Sequence, residues 1–324
     1  MVPVIDIDSL LRGKNDTARV AQEIGNSCRD SGFFYITKHG IPEVLITELE
    51  RLSREFFAKN EKEKLEIAMS RANRAWRGYF PVGQELTSGK PDQKEGIYFG
   101  SELPPHPTLP LHGPNLFPRK MPRFKPVVLE YLERMTQLGH SLMKGLSLSL
   151  GLDGNYFWDH YTKDPLILFR IFNYPGSSPT VKGTWGVGEH TDYGVLTILK
   201  QDDCGGLEIR TKNGWLPAPP LPGTFVCNIG DMLDRMTGGI YRSTPHRVQN
   251  VSGRDRLSLP FFFDPNFNAE VKPLPISPKS IQEDKDQRWD KKSVHAFQGT
   301  YGEYLLGKVS KVFPELSRNV LAKD

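Results

Sequence analysis

The stretch Gly188-Glu189-His190-Thr191-Asp192-Tyr193-Gly194 is followed later in the chain by a further histidine, His246. Side chains at positions i and i+2 of a strand point to the same face, so His190 and Asp192 can approach one ion together while Thr191 faces away. His246, on a distant strand, would complete a set of two histidines and one carboxylate. Such a set leaves three positions of an octahedral metal open, which is typical of Fe(II) sites where oxygen and a chelating small molecule bind together.

A second pair of residues, Arg256 and Ser258, supports this interpretation. A His-x-Asp motif by itself also occurs by chance in a chain with eight histidines, where it would represent two packing histidines and a turn aspartate. Arg256 and Ser258 share one strand face, and a guanidinium fork beside a hydroxyl suits one end of a dicarboxylate inside a barrel. The alternative is a surface ion pair of Arg256 with Asp255 or Asp234, which the apolar character of residues 257–263 disfavours.

The chain from residue 166 onward alternates with a period of two residues, and turn residues separate its short segments. Regularly spaced short strands are typical of an antiparallel sandwich or barrel. We therefore predict a mixed α and β protein with a jelly-roll core, inside which the two histidines and the aspartate meet. The predicted strands are Leu166 to Tyr174, Gly188 to Lys200, Gly206 to Arg210, Thr224 to Asn228, His246 to Val248 and Ser258 to Phe263.

The remaining segments predict helices on both sides of that core. Residues 1–150 would be mainly helical with edge strands and a long loop, residues 151–290 would form the β core, and residues 291–324 would add a C-terminal helix to the same folded unit. Beyond Pro278 the chain turns polar before that helix. The predicted elements are a strand over Val2 to Ile7, a helix over Thr17 to Ser31, a strand over Gly32 to Thr37, a helix from Pro42 to Phe57, a loop from Gly83 to Phe117, a helix from Pro126 to Leu150 and a helix from Thr300 to Val312.

The composition excludes several classes of protein. With 324 residues, 38% of them hydrophobic, the chain can bury a large core, and its formal charge of +4 comes from mixed signs without a basic run, so nucleic-acid binding is not indicated. The absence of a long apolar segment and of a signal-peptide pattern predicts a cytoplasmic protein without a membrane partner.

Cys28, Cys204 and Cys227 are expected to be reduced packing residues. Six histidines lack a partner at ligand spacing and are expected to be structural or solvated, namely His39, His106, His112, His140, His160 and His295.

Taken together, these motifs resemble the Fe(II)/2-oxoglutarate-dependent dioxygenases of the isopenicillin N synthase-like superfamily over nearly the whole chain. The segments 31–36 and 39–42, Ser-Gly-Phe-Phe-Tyr-Ile and His-Gly-Ile-Pro, resemble the N-terminal signature of that family. The resemblance implies a distorted double-stranded β-helix, flanked by N-terminal and C-terminal helices. It also implies 2-oxoglutarate as co-substrate, O2 as oxidant and ascorbate as reductant in vitro. The implied residues are His190, Asp192 and His246 for Fe(II), Arg256 and Ser258 for the far carboxylate of 2-oxoglutarate, and Tyr174 for a hydrogen bond to the co-substrate.

Within the superfamily the chain more specifically resembles plant homoarginine 6-hydroxylases and the bacterial ethylene-forming enzyme, through residues 83–92, 188–194, 201–203 with 205–207, 236–239 with 243–246, and 264–267. This resemblance implies that Glu85 and Thr87 hold the guanidinium of an arginine-like substrate, that Tyr193 lines the same pocket, and that Arg170 lies between substrate and co-substrate. A buried guanidinium does need a carboxylate of matching geometry. The alternative for Glu85 is a solvated loop glutamate.

Two positions depart from the ethylene-forming enzyme. Lys311 stands where that enzyme pairs the substrate carboxylate with an arginine, so the charge is kept and the planar fork is lost. Tyr174 replaces a phenylalanine, and its hydroxyl makes the 2-oxoglutarate pocket more polar. We expect that polarity to favour ordinary oxidative decarboxylation over fragmentation to ethylene.

The sequence therefore predicts a monomeric hydroxylase of a small guanidino amino acid, homoarginine at C6 with release of guanidine, and arginine less well. One alternative is a 2-oxoglutarate-dependent hydroxylase or desaturase of a plant hormone or specialised metabolite. Ethylene formation from 2-oxoglutarate and a co-substrate-independent oxidase are further alternatives. A non-enzymatic alternative is a barrel that binds a small acid without turnover.

Overall fold

The computed structural model describes residues 1–13, 16–176, 185–276, 291, 293–314 and 318. The segment expected to be polar beyond Pro278 lies outside the described residues up to residue 290, as does most of the chain after residue 314. The helices are α1 (Asp8–Arg12), α2 (Thr17–Asp30), α3 (Glu43–Phe57), α4 (Glu61–Lys64), α5 (Phe124–Ser149), α6 (Asp231–Met236) and α7 (Tyr301–Val312). The strands are β1 (Val4–Asp6), β2 (Phe33–Thr37), β3 (Gly78–Phe80), β4 (Glu95–Gly100), β5 (Leu166–Tyr174), β6 (Val187–His190), β7 (Leu196–Gln201), β8 (Leu207–Thr211), β9 (Gly214–Pro217), β10 (Phe225–Ile229), β11 (His246–Val248) and β12 (Arg256–Asp264).

These strands form two sheets, an eight-stranded one in the order β1-β2-β10-β7-β12-β5-β4-β3 and a four-stranded one in the order β6-β11-β8-β9. Strands β1 and β2 pair in parallel, and the other pairings between the described strands are antiparallel. One cavity is lined by residues of both sheets. The predicted mixed fold with a jelly-roll core is confirmed.

The centre of the large sheet is held by its two longest strands, β5 and β12, which pair from Arg256 opposite Tyr174 to Asp264 opposite Leu166. Helix α5 packs on the outer side of this pair. A Cβ on Gly139 would collide with the ring of Phe263, so helix and sheet approach more closely there than any side chain larger than hydrogen allows. Apolar residues of this helix face the core, with Leu132, Met135, Leu138 and Leu142 each at most 5% exposed.

The long loop predicted from Gly83 to Phe117 is wrong in its middle. Residues 95–100 form strand β4, all six of them buried, between β3 and β5 in the large sheet. The apolar run Ile97-Tyr98-Phe99 was the signal for this strand, but the polar and glycine-rich residues on both sides of it dilute that signal. Tertiary pairing with β5 then decides the local structure.

The single strand predicted from Gly188 to Lys200 is also wrong, because two strands of different sheets share this segment. Strand β6 ends at His190 in the small sheet, and β7 begins at Leu196 in the large sheet. The turn between them contains Gly194, where a Cβ would overlap the carboxylate of Asp264. Only a glycine allows the chain to cross between the sheets this close to Asp264.

The division of the chain at residues 150 and 290 stays a prediction. Strands β1 to β4, all from the first 150 residues, belong to the same eight-stranded sheet as β5, β7, β10 and β12.

None of the described helices is both long enough and apolar enough to cross a membrane. Cys28, Cys204 and Cys227 are free thiols, of which Cys28 and Cys227 are buried and Cys204 is half-buried.

Candidate metal site and the adjoining cavity

The two histidines of the predicted metal set meet across one strand pair. His190 ends β6, His246 begins β11, and the two residues are direct partners in the antiparallel register. Asp192 follows β6, and its Oδ1 lies 3.8 Å from Nε2 of His190 and 3.7 Å from Nε2 of His246. One potential ligand atom from each of the three residues lies within 4.8 Å of the other two.

Backbone carbonyls orient both imidazoles. Nδ1 of His190 lies 2.8 Å from the carbonyl oxygen of Gly188, and Nδ1 of His246 lies 3.1 Å from that of Thr244. With Nδ1 as the donor in each ring, Nε2 keeps a lone pair for a metal. Burial, together with the nearby His246, lowers the pKa of His190 to about 4. His190 is therefore neutral at physiological pH, as a metal ligand must be.

Two donors hold the carboxylate of Asp192 in place. Its Oδ2 accepts hydrogen bonds from Oγ1 of Thr197 at 2.6 Å and from Nδ2 of Asn228 at 2.7 Å, which leaves Oδ1 facing the histidines. Burial alone would raise the pKa of Asp192, but the adjacent histidines and these two donors outweigh it and lower the pKa. The carboxylate is therefore ionised and presents one oxygen, which suits a divalent metal held by two nitrogens and one oxygen.

The route by which Asp192 reaches this position differs from the predicted one. His190 and Asp192 do not lie on one strand as predicted, because β6 ends at His190 and Asp192 lies in the turn that follows. Its backbone carbonyl accepts a hydrogen bond from the amide of Asp231, 2.8 Å away, at the start of α6. That contact fixes the turn, so the aspartate is positioned by a helix that sequence periodicity did not predict. Asp231 is the first residue of that helix.

Beside the metal set lies a cavity that contains most of the other predicted site residues. Tyr174, Tyr193, Arg170 and Ser258 line it, together with Glu85 and Thr87 from the segment before β4. Phe172 and Phe262 contribute apolar walls. The cavity therefore joins the metal set to the residues that the family resemblance assigned to substrate and co-substrate.

Arg256 lies fully buried next to this cavity, at 0% exposure. Its Nη2 is 3.4 Å from Oε1 of Gln201, its Cζ is 4.8 Å from the centre of the Tyr174 ring, and its Nη1 has no hydrogen-bond partner in the described part of the chain. The alternative of an ion pair with Asp255 or Asp234 is not found among the described residues. A buried guanidinium N–H without an acceptor is costly, so this group fits a bound carboxylate.

A further part of the cavity, called the Glu85 end below, is built around Glu85, which is 4% exposed, so the alternative of a solvated loop glutamate is wrong. Oε1 of Glu85 accepts a hydrogen bond of 2.6 Å from the hydroxyl of Tyr98 and lies 3.8 Å from Nη1 of Arg170. Oε2 lies 2.9 Å from Nζ of Lys94. Burial would raise the pKa of Glu85, but Lys94 and Arg170 together lower it. Glu85 is therefore an ionised, buried carboxylate.

Thr87 contributes indirectly to this end. Its Oγ1 donates a hydrogen bond of 2.6 Å to Oδ2 of Asp92. Oδ2 of Asp92 also accepts a hydrogen bond from Nζ of Lys94. Lys94 and Asp92, which lie in the same segment as Glu85 and Thr87, were not among the predicted site residues. The strand signal at residues 97–99 could have indicated that the residues just before it are buried.

Lys311 lies on α7 and lines a neighbouring cavity instead, together with Glu303 and Tyr304. The lysine of α7 that reaches the Tyr193 ring is Lys308, whose Nζ is 5.7 Å from the ring centre and 3.9 Å from Oδ2 of Asp231. The predicted contact of Lys311 with a substrate carboxylate stays a prediction.

Family comparisons agree with this arrangement. The N-terminal family described as non-haem dioxygenase in morphine synthesis matches residues 2–120, and the 2OG-Fe(II) oxygenase superfamily matches residues 165–265. The second match contains the metal set together with Arg256 and Ser258.

Individual proteins match over nearly the full length. A probable iron/ascorbate oxidoreductase of Dictyostelium discoideum is 52% identical over 99% of this chain and 97% of its own. A 1-aminocyclopropane-1-carboxylate oxidase of Dictyostelium mucoroides is 41% identical over 97% and 95%, and a homoarginine-6-hydroxylase of Glycine max is 37% identical over 97% and 98%. A protein of Neurospora crassa, crystallised with alpha-KG and thymine, is similar with a TM-score of 0.79 and 26% identity, covering 95% of this chain and 96% of that one.

Proposed function

The chain belongs to the 2OG-Fe(II) oxygenase superfamily and is an oxidoreductase, and on this basis we propose that it hydroxylates a guanidino amino acid, homoarginine at C6 first and arginine less well. The observation that carries the proposal is the buried carboxylate of Glu85, in the same cavity as the metal set. A buried carboxylate is the group that a guanidinium substrate requires. The 37% identity to a protein named homoarginine-6-hydroxylase supports the same choice.

The residues divide the work as follows. His190, Asp192 and His246 would hold Fe(II), and Arg256 with Ser258 would hold the far carboxylate of 2-oxoglutarate. With O2, this centre supplies the oxidation that converts 2-oxoglutarate to succinate and carbon dioxide and places one oxygen atom in a C–H bond of the substrate. A hydroxyl group on C6, next to the guanidino nitrogen, would then lead to loss of guanidine.

The protein's own contribution is to bind, orient and exclude water. Arg170 lies against two aromatic rings, with its Cζ 4.2 Å from the ring centre of Tyr98 and 4.8 Å from that of Phe262. On this proposal Arg170 would lie between substrate and co-substrate. Lys311 stays a candidate for pairing the substrate carboxylate, and Tyr193 stays a candidate for lining the pocket of the substrate guanidinium.

The proposal predicts that homoarginine stimulates succinate release by the purified protein in the presence of Fe(II), ascorbate, 2-oxoglutarate and O2, with guanidine as a second product. Glu85→Gln should lower kcat/KM for homoarginine by roughly tenfold to hundredfold, because a hydrogen-bonded ion pair is lost. The KM for 2-oxoglutarate should change much less. Succinate and guanidine are measured together.

The matched control is Glu66→Gln, the same change at an exposed position. If no guanidino compound stimulates succinate release, the substrate proposal fails. The panel also includes 1-aminocyclopropane-1-carboxylate with ethylene as the readout, since a relative at 41% identity carries that name. An apolar substrate that stimulates succinate release would favour the hormone or metabolite alternative instead.

From the sequence we also propose a monomeric cytoplasmic enzyme that acts on a free small molecule, without nucleic acid or a membrane as partner. Gel filtration of the purified protein tests the oligomeric state. A mass near twice 36.7 kDa would contradict the monomer.

A further inference from the structure

Lys94 is the least expected residue of the cavity. Its side chain is 1% exposed, it lines the cavity together with Glu85 and Thr87, and its Nζ lies 4.8 Å from the centre of the Phe172 ring. The ammonium contacts two carboxylates at once, Oε2 of Glu85 at 2.9 Å and Oδ2 of Asp92. Lys94 therefore stands beside the carboxylate that a substrate guanidinium would have to use.

The charges at this end of the cavity already balance before any substrate binds. Glu85 and Asp92 supply two negative charges, while Lys94 and Arg170 supply two positive ones. A further cation on Glu85 would leave one buried positive charge in excess. Buried charges are stable only when they are paired, so the substrate cation has to compete with Lys94 for Glu85.

We propose that Lys94 determines substrate specificity at the Glu85 end. Its ammonium is a counter-ion supplied by the protein itself, and it occupies the position beside Glu85 where a substrate cation would bind. Asp92 is its second acceptor, and Thr87 holds Asp92 for that purpose with the hydrogen bond to Oδ2. When a guanidinium binds Glu85, Lys94 keeps Asp92 alone. This inference rests on the proposed function, from which its substrate is taken. It concerns how strongly the pocket prefers a substrate with a charged group at Glu85 over a substrate with a neutral group there.

A purely structural ion pair is the competing explanation. Lys94, directly before β4, pairs with Glu85 from earlier in the same segment. Such a contact could serve only to fix the fold of that segment. The two explanations differ in what they predict for substrates. A structural pair predicts equal effects on charged and neutral substrates, whereas a counter-ion that competes with the substrate affects only the charged one.

The test compares homoarginine with homocitrulline, in which a neutral urea replaces the guanidinium at the same length. Lys94→Met should raise the preference for homoarginine over homocitrulline by about tenfold, through a lower KM for homoarginine, because the competing like charge is removed. The double variant Asp92→Asn with Lys94→Met removes the contact of Lys94 with Glu85 but keeps the local net charge at zero, so it should show a smaller increase. It keeps the test decisive if the single variant does not fold.

Lys90→Met is the matched control, since Lys90 lies in the same segment but is exposed. An unchanged preference in both Lys94 variants, equal to that of Lys90→Met, would overturn the proposal while leaving homoarginine turnover intact.

A second measurement decides the question if homoarginine is no substrate at all. Lys94→Ala opens the cation position, and ethylammonium added to the metal-free protein should then raise the Tm of this variant, with no rise for Lys90→Ala. Such rescue would support the counter-ion even though the proposed function had failed. Equal responses of the two alanine variants would overturn it.

Discussion

At the scale of single residues, the arrangement around Asp192 explains how one carboxylate serves the metal site. Thr197 of β7 and Asn228 of β10 occupy one oxygen of Asp192, and the two histidines face the other. Contacts of this kind orient a ligand and tune its basicity without touching the metal. The chemistry of the site therefore depends on two uncharged residues that no motif contains.

Thr197→Val should weaken Fe(II) binding by about 10- to 100-fold, because the carboxylate of Asp192 loses a donor and becomes free to rotate. Anaerobic titration of the purified protein with Fe(II) or Co(II) measures the Kd. Thr108→Val, the same change at an exposed position, is the control. An unchanged Kd in the Thr197 variant would show that the hydrogen bond does not position the ligand.

At the scale of elements, Asp264 ties three parts of the fold together. It ends β12, accepts a hydrogen bond of 2.5 Å from the hydroxyl of Tyr301 on α7, and accepts a second, of 3.3 Å, from the amide of Val195 just before β7. The C-terminal helix is thereby attached to the end of β12 and to the start of β7, behind the metal site. Burial raises the pKa of Asp264 to about 7, in spite of these two donors.

This raised pKa predicts a pH-dependent stability. The folded state favours the protonated carboxyl, so its contribution is fully present below the unfolded pKa of 3.8 and is lost as the pH rises through about 7. Between pH 5 and pH 8 the wild-type protein should therefore lose more unfolding free energy than Asp264→Asn, by on the order of 3 kcal/mol. Urea denaturation of the metal-free proteins at both pH values measures the difference.

Asp159→Asn, at an exposed position, controls for the change in net charge. If Asp264→Asn and the wild-type protein lose the same unfolding free energy over this range, Asp264 is ionised in the fold at neutral pH and the prediction is wrong.

At the scale of the whole molecule, the metal set lies where the two sheets of the jelly roll meet. His190 and His246 come from β6 and β11 of the small sheet, and Asp192 begins the turn that leads into β7 of the large sheet. Its carboxylate is held by residues of the large sheet. A metal ion bound here would join the two sheets.

Metal should therefore stabilise the folded protein. Fe(II) or Co(II) at about a thousand times its Kd is expected to add roughly 4 kcal/mol to the unfolding free energy, and chelation should remove that gain. His246→Ala should show little stabilisation by metal, whereas His106→Ala, at an exposed histidine, should behave like the wild-type protein. Thermal unfolding under anaerobic conditions measures the effect. Equal stabilisation of His246→Ala would remove His246 from the metal site.

The sequence by itself determined the fold class, the enzyme family and the types of residue at the metal site. These properties depend on local patterns, namely a period of two in the strands and the spacing of His190, Asp192, Arg256 and Ser258, and such patterns survive without knowledge of what packs against them. The family resemblance extended the same information to the segment around Glu85.

Only the tertiary structure decided how these residues are surrounded. The burial of β4, the turn that brings Asp192 to the histidines and the ion pair of Lys94 with Glu85 all depend on what packs against each segment. Whether a charged side chain is solvated or buried, and which charge already pairs with it, is set by contacts through space that no spacing along the chain encodes. For this reason the sequence identified the metal chemistry, while the structure determined which charges a substrate meets in front of it.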